Sequence, residues 1–137
     1  MSKATSILLK AFNKHIFDFL KDIQSIFPEN TEIKNSIDYL ETLKTANPTL
    51  MIKIWYKFIY SPYSEPIDKG NIDFFLEKDY SQDLRNLPQS DKILEVIDNS
   101  LREPLKKMDG ENKAKCIKHI QLISTISSKY MEEKNEK

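Results

Sequence analysis

The chain has 137 residues, enough for one domain with a single apolar core. It is 39% hydrophobic and 31% charged, which excludes a disordered or membrane-embedded class. Twenty-one basic and twenty-one acidic residues cancel, so the chain lacks the net positive charge of a protein devoted to coating nucleic acid or anionic membrane.

The first predicted helix runs from Lys3 to Ile26. Leu9, Phe12, Ile16, Phe19, Leu20, Ile23 and Ile26 recur at helical spacing on one face, with Lys10, Lys14, Asp18 and Lys21 opposite. These charges deny the segment the continuous apolar core of a signal peptide, and no stretch approaches the ~18 apolar residues of a membrane span. Pro28 follows the helix. A second helix is expected from about Thr31, with Asn30 or Thr31 as N-cap and Ile33, Ile37, Leu40 and Leu43 as its stripe, Tyr39 lying on the flank.

Asn47 suits an N-cap and Pro48 a first helical position, so a third helix is expected over about 48–60. Its residues Leu50, Met51, Ile52, Ile54, Trp55, Tyr56, Phe58, Ile59 and Tyr60 wrap nearly the whole circumference, leaving Lys53 and Lys57 as the polar strip. A helix apolar almost all round is a buried one. Its aromatic residues are therefore read as core, with Tyr60 and Tyr63 nearest to solvent.

"SPYSEPIDKG" reads as a turn and a short helical turn closed by Gly70. "NIDFFLEKDYSQDLRNLP" reads as one or two short helices with Phe74, Phe75, Tyr80 and Leu84 inward. A helix starts at Ser90–Asp91 and carries Ile93, Leu94, Ile97, Leu101, Leu105 and Met108 in phase; Pro104 predicts a kink or break near Glu103. After the turn "MDGEN", the last helix is expected from about Asn112 to Met131, with residues 132–137 frayed. Its stripe is Cys116, Ile117, Ile120, Ile123, Ser124 and Ser127. Leu122 and Ile126 fall outside that stripe, beside His119 and Lys129, on the side that a single amphipathic helix gives to water. They form the candidate surface for a protein partner or self-association; the alternative is a wide buried face, since a C-terminal helix that touches two neighbours at once would bury both.

Chemistry-bearing motifs are sparse. Two isolated glycines, Gly70 and Gly110, exclude phosphate-cradling glycine loops. One cysteine and two histidines cannot supply the roughly four ligands of a structural zinc site unless carboxylates or another chain contribute. "DKGNIDFFLEKD" fails as a calcium loop because Gly70 and Ile72 stand where oxygen ligands belong. No G-x-S-x-G elbow occurs. His15 has Asp18 one turn on, and Cys116 has His119 one turn on, but the sequence shows neither pair a third group or a pocket. Asp68, Asp73, Glu77, Asp79 and Asp83 read as a solvated acidic face. No catalytic residue, metal ligand or cofactor is therefore assigned.

Charge is uneven along the chain. Residues 62–100 hold four basic and nine acidic side chains, a net −5, whereas residues 101–137 hold nine and six, a net +3. Arg102, Lys106, Lys107, Lys113, Lys115 and Lys118 are the candidate nucleic-acid contacts, diluted by Glu103, Asp109 and Glu111 and without interleaved aromatics. The single cysteine permits no intrachain disulfide and fits a reducing compartment.

The segments "FDFLKDIQSIFPEN", "LKTANPTLMIKIWYKFI" and "FFLEKDYSQDL", in this order, resemble a group of small uncharacterised proteins encoded by large nucleocytoplasmic DNA viruses of protists and algae. The resemblance spans about Phe12 to Tyr130. It implies a setting, host cytoplasm or viral particle, and carries no activity or binding residue to this chain. The expectation is an all-α protein, a single domain of about six helices around the 48–60 helix. Its expected role is non-enzymatic: an interaction or structural protein of a virion or virus factory. The alternative is an accessory protein contacting nucleic acid through residues 102–118.

Overall fold

Helix α1 (Lys3–Ile26) forms with the expected limits. The Ser2 hydroxyl accepts the Thr5 amide at its start, and Leu9, Phe12, Ile16, Phe17, Phe19, Leu20 and Ile23 are buried. The computed structural model describes residues 2–87 and 89–135, and for Ile72 and Asp83 the backbone alone. Among the described residues all regular structure is helical.

Asn30 caps α2 (Thr31–Ala46), its side-chain oxygen accepting the amides of Glu32 and Ile33. The third helix begins later than its proline suggested. Asn47 closes α2, Pro48 and Thr49 form a turn, and α3 is Leu50–Ile54. The Asn47 amide bonds to the Leu43 carbonyl at 2.8 Å, so Asn47 closes α2, and Thr49 stands at the N-cap of α3.

From Trp55 to Tyr60 the helix widens into a π-helical segment, followed by a 3-10 turn (Ser61–Tyr63) and α4 (Ser64–Asp68). The same happens beyond α7 (Ser90–Val96): Ile97–Arg102 is π-helical and α8 (Glu103–Lys106) follows. In both places the second residue after the π segment is a proline, Pro62 or Pro104. A proline ring lacks an N–H and collides with the carbonyl four residues back. Here the residue before each proline reaches five residues back instead: Ser61 N–H bonds to the Tyr56 carbonyl and Glu103 N–H to that of Asp98. Pro104 thus widens its helix where the sequence predicted a kink or break.

Gly70 ends α4 with φ +75°, a conformation that costs glycine nothing, and the Asn71 amide closes on the Pro66 carbonyl at 2.8 Å. Short helices α5 (Ile72–Glu77) and α6 (Ser81–Leu84) carry Phe75 and Leu84 into the core, as does Tyr80 between them; Phe74 is half-buried against Tyr63. The last helix, α9 (Gly110–Asn135), is longer than expected at both ends. Asp109 caps it through the Asn112 amide at 2.8 Å. Residues 132–135 continue the helix rather than fray, and 136–137 lie outside the described residues.

The end of α1 lies against the beginning of α9, so these two longest helices run antiparallel. The Leu50–Tyr60 run packs among α1, α2 and α9 and buries Met51, Ile52, Ile54, Trp55 and Ile59. Its Lys53 and Lys57 are exposed, and Tyr56, Phe58 and Tyr60 are half-buried. The aromatic stretch is therefore the middle of the protein, as its polarity pattern implied.

Candidate functional site

Where α1 meets the opening turns of α9, the surface dips into a cleft of about 510 Å³. Asp22, Ser25 and Ile26 supply one wall; Asn112, Lys115, Cys116, Lys118, His119 and Leu122 supply the other. Helical spacing explains the second wall, because residues 115, 118, 119 and 122 share one face of α9.

His119 is held from two sides. Its ring stacks on Phe19, with centroids 5.0 Å apart and planes 18° from parallel. Its Nε2 lies 3.0 Å from Asp22 Oδ2, an ion pair when the imidazole is protonated and a hydrogen bond from neutral Nε2–H otherwise. One turn earlier, Cys116 is buried, its Sγ 3.5 Å from Met108 Sδ. Burial pushes its thiol up to about 11, and the Asp22 charge adds to that. A thiol that holds its proton at neutral pH, with its hydrogen turned to a thioether, is a structural cysteine rather than an activated nucleophile.

The third group and pocket that the sequence did not reveal for His119 are thus Asp22 and this cleft. Asp22 and the Phe19 stack together fix the ring. At the other histidine, Asp18 goes elsewhere: it accepts from Lys14 Nζ at 2.8 Å, and that bond holds its carboxyl below the usual range.

Leu122 is 45% exposed, one of two large exposed apolar side chains among the described residues, Ile7 being the other. Ile126, paired with it on sequence grounds, is buried at 9%. The correction has a plain cause. Helix α9 packs against both α1 and the Trp55–Tyr60 segment, so its buried arc is wider than a single stripe and takes in Ile126.

The basic residues do not form one patch. Arg102 turns inward: its Nε and Nη2 donate to the Leu76 carbonyl at 3.0 and 2.6 Å, and Nη1 to Asp98 Oδ1 at 3.0 Å. Lys106 pairs with Glu103 and Lys115 with Glu111, at 3.6 and 4.0 Å. Lys107 shares a groove with Glu29, Glu32 and Glu103. Lys113 is half-buried, and Lys118 lies exposed in the α1–α9 cleft. In the acidic stretch, Asp68 accepts from the Tyr60 hydroxyl at 3.1 Å and Asp79 caps the Ser81 amide at 2.9 Å. The Asp83 side chain is outside the described residues.

Among the described residues, no three His, Cys, Asp or Glu side chains converge as a metal site, and no helix is long and apolar enough to cross a membrane. No family model matches the chain, and no curated protein or solved structure matches it.

Proposed function

We propose that this is a non-enzymatic interaction protein whose α1–α9 cleft receives an amphipathic segment of a protein partner. Leu122 is the apolar anchor, and Lys115 and Lys118 form a basic rim for acidic residues of that segment. The observation that carries the reading is Leu122 itself: a leucine 45% exposed, on a long packed helix, in a concave site with cations beside it. The viral resemblance supplies the setting, a virion or virus-factory component in host cytoplasm or particle.

A photo-crosslinking residue at position 122, compared with one at exposed Ala114, tests it in infected cells. The reading predicts one discrete protein adduct from position 122 and none from 114. Equal, diffuse labelling from both would contradict it.

A second reading, contact with nucleic acid, rests on Lys113, Lys115 and Lys118 along the opening turns of α9, two of which line the cleft. It predicts adducts that nuclease treatment removes.

A further inference from the structure

A cavity of about 70 Å³ lies between α1, α2 and the two helices that carry π segments. Trp55 and Ile59 of the first π segment wall it together with Ile97 and Leu101 of the second. Phe12 and Val96 add to the wall, and every other lining side chain is likewise aliphatic, aromatic or thioether. The one side-chain N–H among them, Trp55 Nε1, is committed to Ser124 Oγ at 2.9 Å. A buried water needs two to four polar partners, and these walls offer none, whereas apolar cavities of about 150 Å³ take up benzene or xenon. Both π-helical segments face it, and each is followed two residues on by a proline, Pro62 or Pro104.

We infer that this cavity is a binding site for a small uncharged apolar molecule, of the size class of xenon or a short hydrocarbon. The guest sits between Trp55 and the Ile97–Leu101 face and is selected by size and by the absence of polar groups. The site is separate from the α1–α9 cleft, and the inference stands without the partner reading.

The test uses xenon as the probe, in a pressurised crystal and in solution by methyl NMR. The expected result is one xenon position against Trp55 and Ile97, with saturable shifts of the Ile59, Ile97 and Leu101 methyls. Val96→Ile, which adds one methylene to the wall, weakens the saturable response at least tenfold. Val96→Leu is the second variant should the first change the fold. Absence of xenon at this position, or shifts that stay linear with pressure and indifferent to Val96, would overturn the inference.

Discussion

The indole N–H of Trp55 donates to the hydroxyl of Ser124 at 2.9 Å, joining the Leu50–Tyr60 run to α9 through the core. Both residues are buried, at 4% and 1% exposure. Ser124 is small enough for the helices to approach and polar enough to satisfy the one donor of a buried tryptophan. Ser124→Ala should therefore cost about 1–3 kcal/mol in chemical unfolding, because it leaves that N–H unpaired. Trp55→Ala should cost about 3–5 kcal/mol through the cavity it opens. Native Trp55 fluorescence should be blue-shifted and resist iodide. An alanine at 124 without loss of stability would show that the bond does not form in solution.

Cys116 supplies a pH-dependent check. Burial raises its thiol from the ordinary 9.0 to about 11. The folded state thus resists loss of this proton. The stability it contributes is fully present below the unfolded pKa near 9 and is lost as pH rises through about 11. At pH 8, iodoacetamide should alkylate the native protein about 100-fold more slowly than the denatured chain, from thiolate fraction alone. Comparable rates would mean an activated thiol and would return Cys116 and His119 to candidacy as a reactive pair.

Arg102 separates structural from binding roles within the basic segment. Its guanidinium ties the second π segment to the end of α5 through the Leu76 carbonyl and Asp98. Arg102→Ala should cost about 1.5–3 kcal/mol, the range for hydrogen bonds to a charged group. Arg102→Lys should recover little of it, since an ammonium cannot reproduce the fork. Charge reversal at Lys115 and Lys118 should leave the melting temperature nearly unchanged. If retention on DNA or RNA exists at low salt, the same reversal should flatten its salt dependence; no retention at low salt would remove the nucleic-acid reading.

The cavity carries a stability prediction of its own. Val96→Ile should raise stability by about 0.5–1 kcal/mol where overpacking would ordinarily lower it. A clear destabilisation would indicate that the space is already filled by side chains.

Local patterning was legible in the sequence. The limits of α1, the Asn30 cap, the Gly70 turn and the buried Trp55 all follow from residue type and spacing. What stayed hidden depends on neighbours. Pro104 reads locally as a breaker, yet helices packed on either side hold the chain helical and the turn widens instead. Ile126 and Leu122 read alike in the sequence, open to water or to a second neighbour, and only the packing of α9 separates them into one buried and one exposed residue. Asp22 and His119 come from opposite ends of the chain, so no local pattern joins them. Of the residues that line the cleft, Lys115, Cys116, Lys118, His119 and Leu122 each stand out in the sequence for separate reasons, and nothing local joins them to the α1 wall.

The most direct test of the partner reading is Leu122→Asp, scored for melting temperature and for recovery of the adduct from a crosslinker moved to exposed Ser25 on the opposite wall of the cleft. Leu122 is 45% exposed and Ile126 9%. Leu122→Asp should thus keep the native melting temperature within a few degrees, whereas Ile126→Asp should unfold the protein by burying a charge. With the fold intact, the account predicts that Leu122→Asp abolishes the discrete adduct. Undiminished recovery from a folded Leu122→Asp protein would contradict the cleft as the docking site.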